Sequence, residues 1–546
     1  MISGILLLCM IVKADPGLAN GIIMGKICWF HTSVFCLAGS VLIMELTVGK
    51  SRFTFSLPDG LLVCLFGVLL FTYDREANLQ PEKLLFYGQL VLLWFLLRAV
   101  LQTFPDLKVF YLMIILVSGM VEAIWGMFHF YGDGSFIHPL LSEIDYSFRA
   151  GPLSGYLTVV LPVSLNMVLR FRNCSKSAWW EPRTGLYYFS WVSLVVIVVA
   201  LIGSMNRVAW MAAILSCGWV GWMRMIGWEK TKRKIRRYQI RLAFSTFILL
   251  MVLTGFLQIG EKLKDDFPAD RLLMWNVTTQ AILEHPFMGT GLGSYPTVYA
   301  RAQEVYLASG EASAAEIRSV FYPNFAYNEY LHIGLELGCV GLLLFLLWIV
   351  FSIYYGIKCH QIGSCGGILA MGILAVFSYP LHLPSFWILL IFFTAICTTR
   401  SNTDSKFPQK SYPYVGALAA LFACLLYFSQ RDTPNIYREW RHLELRREKG
   451  ESRSLLTGYR NLYPRLCHCP DFLKQGATCL SEAGEYSQAV IWLERAMQLS
   501  ADPELYRQMA FNKQKLGKPW EARKYLQVLR SHEKEPDKRT DVFKKE

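Results

Sequence analysis

Charged residues are scarce in this sequence. They make up 17% of the 546 residues, and hydrophobic residues make up 54%, whereas a soluble chain of this length carries about 25% charge. This balance excludes an ordinary soluble globular protein. The apolar runs also lack the alternation of membrane-barrel strands. The sequence therefore predicts a polytopic α-helical membrane protein, because a helix satisfies its own backbone hydrogen bonds in lipid.

Thirteen apolar runs are candidate spans, since about 20 helical residues cross the hydrocarbon core. The first run is short, but it lacks the basic start and the small-residue cleavage site of a signal peptide. We expect an all-α transmembrane bundle of about 12–13 spans over residues 1–429. The predicted spans are 2–13, 20–45, 59–76, 84–104, 108–129, 151–170, 187–204, 207–225, 240–258, 331–356, 364–380, 385–399 and 411–429.

Lysine and arginine collect in loops that the alternating spans place on one face. Because basic loops stay in the cytoplasm, segments 130–150, 259–330 and 430–546 are expected outside, with 259–330 as a large outer loop. The net charge of +13 then reflects the orientation of the spans in the membrane. Because the basic residues are divided among several short loops, they do not form the single basic surface of a nucleic-acid-binding protein. The basic loops are Val48–Arg52, Arg170–Arg183, Glu229–Arg241 and Arg400–Lys410.

The C-terminal region, 430–546, contains a repeat with a shift of 33 residues. Small residues at helix crossings, a glycine at the turn and a proline at the end of the unit resemble the tetratricopeptide repeat. We expect an extracytoplasmic helical-repeat domain that offers a concave surface to a protein partner or a second copy; a plain helical bundle stays open. The paired positions are Ala477 with Ala510, Gly484 with Gly517, Ala489 with Ala522, Leu493 with Leu526 and Pro503 with Pro536.

Most of the 14 cysteines lie inside predicted spans, where they act as small apolar residues. Cys467, Cys469 and Cys479 lie in the C-terminal region, which leaves open a disulfide to Cys479 in an oxidising compartment. The run Cys467–His468–Cys469 lacks the spacing of zinc ligands. The sequence therefore predicts no metal site.

Three alternating glycines occur in the segment His285–Ala300: Gly289, Gly291 and Gly293. The segment lacks the Lys-Ser/Thr pair of a phosphate-binding loop, and no strand pattern precedes it. Its expected place outside the membrane also removes it from nucleoside triphosphates. Nucleotide binding is therefore excluded, and two interpretations stay open: a compact turn close to the membrane surface, or direct contact with a ligand.

Five segments together resemble the O-antigen ligase/polymerase family of polytopic glycan transferases. Their order and sidedness carry the resemblance, which covers residues 140–400. The segments are FRAGPLSGYLTVVLPVSL (148–165), GSMNRVAWMAAIL (203–215), ADRLLMWNVTTQAILEHPFMGTGLGSY (269–295), NEYLHIGLELGCVGLLLF (328–345) and FSYPLHLPSFWILL (377–390).

This resemblance implies an enzyme of the inner membrane of a Gram-negative-type bacterium. Family members take a glycan from undecaprenyl diphosphate at the periplasmic face and pass it to lipid A-core, to a growing glycan or to a protein, without metal or cofactor. The expected function is ligation of an O-antigen-like glycan. A repeat-unit polymerase and a protein O-oligosaccharyltransferase are alternatives within the family, and a transporter or a scaffold that presents the C-terminal domain is the alternative outside it.

Three arginines are expected at the outer ends of spans: Arg149, Arg207 and Arg271. Guanidinium forms two charge-assisted hydrogen bonds to phosphate oxygens and stays charged. We expect Arg207 and Arg271 to stabilise the leaving diphosphate and Arg149 to bind substrate. Snorkelling at the interface is the alternative role.

The group that activates the acceptor is less clear from the sequence, since Tyr327 stands where many family members have a histidine. A tyrosine, with an unperturbed pKa of about 10, is a poor base at neutral pH, but Tyr327 can donate a hydrogen bond in the catalytic site. Glu329 and His382 are the expected substitutes, although Glu329 would also suit a helix N-terminus. Asn328 and His285 are expected to bind substrate; Glu336 and His332 are further candidates, with packing as the alternative role for His332.

Overall fold

The computed structural model describes most of the chain, in ten segments. The predicted spans 2–13 and 240–258, the basic loop Glu229–Arg241 and Arg149 lie outside the described residues. The segments are 15–48, 53–73, 81–131, 151–172, 182–226, 269–309, 322–399, 411–412, 414–448 and 452–532.

Each predicted span that falls in the described residues is a helix whose ends lie within about five residues of the prediction. Among the described residues, six helices are long and apolar enough to cross a membrane by length and composition: Ile23–Thr47, Pro81–Thr103, Leu107–Phe128, Gly151–Phe171, Arg183–Gly203 and Glu329–Lys358. The architecture is an all-α polytopic bundle. Its helices are α1 (Gly21–Val48), α2 (Leu57–Thr72), α3 (Pro81–Thr103), α4 (Leu107–Tyr131), α5 (Gly151–Phe171), α6 (Pro182–Gly203), α7 (Arg207–Ile226), α10 (Glu329–Lys358), α11 (Ile362–Phe377), α12 (Pro384–Thr398) and α13 (Val415–Gln430).

One small sheet interrupts this all-α pattern. Strand β1 (Phe53–Thr54) pairs antiparallel with β2 (Ser411–Tyr412). Asp59 and Arg98, both buried, form an ion pair beside it, and Arg98 Nη2 donates to the carbonyl of Thr54 at 3.0 Å. This pair therefore ties β1 to α3 at one end of the bundle.

Helix α5 lies at the centre of the bundle and packs against α4, α6, α7 and α11. Small residues allow the backbones to approach, as is usual between membrane helices. A Cβ atom added to Gly366 of α11 would come within 2.4 Å of Val220 and 2.8 Å of Pro162. The close packing of α5 with α7 and α11 fixes the frame on which the site is built.

Two helices that are not candidate spans cover the start of α10. These are α8 (Ala269–Glu284) and α9 (Tyr295–Ala308). Their apolar faces share a small core with α10, in which Met274, Val277, Tyr295 and Leu335 are buried. Residues 285–294, which include Gly289, Gly291 and Gly293, connect α8 to α9 and are held in this core. We call them the glycine segment.

The described part of the C-terminal region contains six helices. Helices α16 and α18 begin at Pro470 and Pro503, and α17 and α19 begin at Tyr486 and Pro519, so both pairs are related by the shift of 33 residues seen in the sequence. Proline suits the first turn of a helix because that turn needs no N–H donor. The tetratricopeptide class stays a prediction. The six helices are α14 (Thr433–Glu448), α15 (Ser452–Leu466), α16 (Pro470–Glu482), α17 (Tyr486–Met497), α18 (Pro503–Lys515) and α19 (Pro519–His532).

Candidate functional site

The site begins at the N-terminus of α10, which Asn328 caps. Its Oδ1 accepts hydrogen bonds from the backbone N–H of Tyr330 at 3.0 Å and Leu331 at 3.2 Å. The cap places Glu329 in the first turn, where the helix dipole favours a carboxylate. In this structure the side-chain oxygen of Asn328 therefore caps α10, whereas the sequence analysis expected Asn328 to bind substrate.

Four ionisable side chains form a continuous chain of polar contacts beside this N-terminus. Oε1 of Glu329 lies 3.3 Å from Nδ1 of His382, and Nε2 of His382 lies 3.2 Å from Nε2 of His332. Nε2 of His332 lies 3.2 Å from Oε1 of Glu336. We call Glu329, His382, His332 and Glu336 the carboxylate–histidine chain. Positions 329, 332 and 336 share one face of α10 because residues three and four apart are neighbours on a helix.

Backbone donors hold both ends of the carboxylate–histidine chain. The N–H of Leu381 donates to Oε1 of Glu329 at 2.7 Å, and the N–H of Gly293 donates to Oε1 of Glu336 at 2.9 Å. The two carboxylates are almost fully buried, at 2% and 6% exposure. Ionisable groups inside membrane helices are expensive, and by default they indicate a functional site.

The carboxylate–histidine chain lies on the wall of a cavity that is otherwise apolar. Helices α2, α3, α10 and α12 supply the apolar wall, with Leu65, Leu90, Leu337 and Trp387 among its side chains. Such a cavity combines an apolar surface with a few convergent polar groups, which is the usual character of a ligand site.

Burial and two neighbouring basic residues determine the protonation of His382. Burial lowers the pKa of His382 well below its usual range, and the neighbouring His332 and Lys83 lower it further. The ring is therefore neutral near pH 7 and is able to hold its proton on either nitrogen. Lys83, in the first turn of α3, also interacts electrostatically with Glu336. The sequence prediction missed Lys83; its signal was a lysine at the edge of a span, on the face expected to carry the arginines.

Arg271 lines a second cavity. Its Nη1 donates to the carbonyl of Phe377 at 3.0 Å, and its guanidinium carbon lies 5.4 Å from the ring centre of Tyr327. Burial lowers the pKa of Arg271, but the group stays charged at neutral pH because an arginine begins so high. Asn206, Ser378 and Tyr379 are further polar residues of the wall.

One turn separates the two cavities. Leu381 and His382 face the first, while Tyr379 and Leu383 face the second. Phe325 packs on this turn, with its ring centre 5.1 Å from that of Tyr379 and 4.3 Å from that of His382. Tyr327 has a left-handed backbone, with φ of 48°, which is uncommon for a bulky residue and is often found at functional sites.

The other predicted site residues are distributed around these cavities. Arg207 is exposed at the first residue of α7, and its neighbours Asn206 and Val208 line the Arg271 cavity. His285 is exposed at the end of α8. Arg149, the third predicted arginine, lies outside the described residues.

The three glycines of the segment between α8 and α9 contact α10. The N–H of Gly291 donates to the carbonyl of Glu336 at 2.9 Å, and a Cβ atom added to Gly289 would lie 2.5 Å from the same carbonyl. The N–H of Gly289 itself donates to the backbone carbonyl of His285 at 3.1 Å. All three have a left-handed backbone, with φ between 66° and 103°. Since Gly293 donates to the Glu336 carboxylate, the described contacts favour the compact turn over a ligand cradle.

Part of the chain matches a known family. The family model described as O-antigen ligase matches residues 192–346. This segment is similar to O-antigen ligases. It contains Arg207, Arg271, Tyr327, Glu329, His332 and Glu336, and it ends before His382. No curated protein matches the chain. The match and the helices together support a multi-pass membrane protein with a glycan-transferring role of the O-antigen ligase type.

Proposed function

We propose that this chain transfers a glycan from undecaprenyl diphosphate to an acceptor hydroxyl at the periplasmic face of the inner membrane. The observation that carries the proposal is the carboxylate–histidine chain, which is separated by one turn from the cavity that holds Arg271. A base and a phosphate-binding cation are the two groups this transfer requires. The apolar cavity wall suits a donor with an isoprenoid chain.

Glu329 is the proposed base. The acceptor oxygen attacks the anomeric carbon, the bond from that carbon to the diphosphate oxygen breaks, and the hydroxyl proton passes to Glu329. His382 holds the carboxylate through Nδ1, and His332 links it to Glu336. In this proposal the arrangement takes the role near the acceptor that a histidine at the position of Tyr327 is expected to have in many O-antigen ligases, while Tyr327 acts as a hydrogen-bond donor.

Arg271 is the proposed partner of the leaving diphosphate. It lines its own cavity, and its planar fork of N–H donors matches the geometry of phosphate oxygens. Arg207 acts at the rim of the same cavity, next to Asn206 and Val208. Stabilising the departing charge with such donors contributes about 3–4 kcal/mol per well-placed group.

The proposal assigns residues 1–429 to glycan transfer, with 259–330 on the periplasmic side, and residues 430–546 to a periplasmic repeat domain. Tyr506 of α18 stacks on Tyr322 with ring centres 6.5 Å apart. This contact supports a C-terminal region that lies beside the site, where a protein partner or an acceptor glycan would approach. The acceptor is lipid A-core, a glycan or a protein.

The decisive experiment replaces the chromosomal gene with Glu329→Gln and measures surface glycan and lipid-linked intermediates. The expected result is a loss of transfer by at least about 10²-fold, the usual contribution of a general base. A ligase then leaves finished polymer on undecaprenyl diphosphate, and a polymerase leaves single repeat units.

Glu304→Gln is the matched control, because Glu304 is an exposed carboxylate on α9 and lies, like Glu329, in the predicted outer loop 259–330. It should transfer at the wild-type rate. Normal transfer by the Glu329→Gln protein, at wild-type membrane levels, would refute the role of Glu329. Normal glycans after deletion of the whole gene would refute the proposed function.

A further inference from the structure

A second cluster of ionisable groups lies where the C-terminal region meets the bundle. Glu82 is in the first turn of α3, and His468 and Cys469 lie between α15 and α16. One carboxylate oxygen, one imidazole nitrogen and the thiol sulfur lie within 4.8 Å of one another. Nε2 of His468 is 3.1 Å from Oε1 of Glu82. The cluster is separate from the carboxylate–histidine chain.

The donor set is that of a zinc site. Zn²⁺ binds cysteine sulfur at about 2.3 Å and histidine nitrogen or carboxylate oxygen at about 2.0–2.2 Å. Tetrahedral geometry then puts neighbouring ligand atoms about 3.3–3.7 Å apart. A separation at the 4.8 Å limit would need to shorten by about 1.1–1.5 Å, and the 3.1 Å between His468 and Glu82 would need to lengthen by a few tenths of an ångström. A thiolate also disfavours Mg²⁺ and Ca²⁺, which prefer oxygen ligands.

The surroundings orient these groups. Tyr437 Oη donates to both carboxylate oxygens of Glu82 at 2.9 Å, and a hydrogen bond of this kind fixes the orientation of a metal-binding side chain. Tyr437 is buried, and its carbonyl accepts the N–H of Ala19 at 3.0 Å. The His468 side chain is only 12% exposed. Its buried Nε2 lies close to Oε1 of Glu82 but does not have the geometry of a hydrogen bond to any of the described residues.

We propose that Glu82, His468 and Cys469 bind one Zn²⁺ ion, which fixes the C-terminal region to the transmembrane helix α3. Binding releases the thiol proton of Cys469 to solvent, and water occupies the fourth position. The ion holds the start of α3, so it also positions the adjacent Lys83 near Glu336 and His382. This inference does not depend on the proposed transferase function.

The test uses the full-length protein in detergent, reduced and stripped with a chelator, and then titrated with Co²⁺. We expect one Co²⁺ per chain, a thiolate-to-cobalt charge-transfer band in the near ultraviolet, and loss of the band when Zn²⁺ is added. Cys469→Ser should abolish the band. Glu82→Gln and His468→Gln should each weaken Co²⁺ binding at least about tenfold.

Cys467→Ser is the matched control, since Cys467 is two residues from Cys469 and outside the cluster; its band should match the wild type. All variants are compared at equal elution volume in size-exclusion chromatography. If Cys469→Ser aggregates, His468→Gln is the decisive variant in its place. The inference is overturned if the wild type binds no more Co²⁺ than Cys469→Ser or His468→Gln. Loss of the band in Cys467→Ser would also overturn it.

Discussion

At the residue scale, each buried carboxyl group of the site is held by more than one partner. Glu329 accepts from Leu381 and contacts His382, while Glu336 accepts from Gly293 and contacts His332. A buried carboxylate without partners is strongly destabilising, and removing one partner leaves the others uncompensated. The network therefore holds groups that are costly to bury, in positions where packing alone would favour apolar side chains.

The same reasoning predicts the effect of removing Arg271. Arg271→Ala should lower the transfer rate about 10²–10³-fold, because one donor to the departing charge is lost. Arg271→Lys should restore only part of the rate, since an ammonium lacks the planar fork. The measurement is glycan transfer by purified protein at saturating donor.

Arg301→Ala is the control for this prediction, because Arg301 is an exposed arginine on α9. A rate loss in Arg301→Ala as large as that in Arg271→Ala would show that the total positive charge of the segment matters, rather than one placed guanidinium.

At the scale of elements, the break in α10 determines where Glu336 lies. Gly338 has φ of 67° and ψ of −174°, a conformation essentially restricted to glycine. The carbonyls of Leu335 and Glu336 accept from Thr290 and Gly291 of the glycine segment. The segment thus replaces helical hydrogen bonds lost at the break and brings Gly293 to the Glu336 carboxylate.

Gly338→Ala should therefore destabilise the protein and displace the glycine segment. A Cβ atom at this position would lie 2.3 Å from the carbonyl oxygen of Phe287, and the backbone strain adds about 1–3 kcal/mol. The expected outcome is a lower thermal unfolding midpoint in detergent and slower glycan transfer.

Gly218→Ala on α7 is the matched variant, since an added Cβ there meets nothing within 4 Å. It should leave the midpoint unchanged or slightly raised, because alanine favours helix by about 1 kcal/mol over glycine. An unchanged midpoint in Gly338→Ala would mean that the break is not fixed by this residue.

Hydropathy predicted the elements well and the contacts between them poorly. Long apolar runs define spans directly, so α5 at Gly151–Phe171 agrees with the predicted 151–170. The pairing of Glu329 with His382 depends on how the turn before α12 folds back on α10, and no local pattern encodes that. The cluster of Glu82 with His468 and Cys469 joins the start of α3 to the C-terminal region, so the spacing of Cys467 and Cys469 alone gave no sign of it.

At the scale of the whole molecule, the C-terminal region and the site lie at the same end of the bundle. Tyr437 of α14 binds Glu82, the residue before Lys83, and Tyr506 of α18 stacks on Tyr322. Leu18 and Met24 are buried in the core of the C-terminal region. These contacts make the region part of the surface around the site, independent of which repeat class it belongs to.

This arrangement predicts on which side of the membrane a reporter protein lies when it is fused at either of two positions. Alkaline phosphatase fused after Glu546 should be active in cells, because its disulfides form only in the periplasm. Phosphatase fused after His360 should be inactive and a fluorescent protein there should fold, since α10, which is long and apolar enough to cross a membrane, leads from the site to the turn that contains His360. Phosphatase activity after His360 but not after Glu546 would place the site in the cytoplasm. Donor glycans are not displayed there, so this result would contradict the proposed transfer at the periplasmic face.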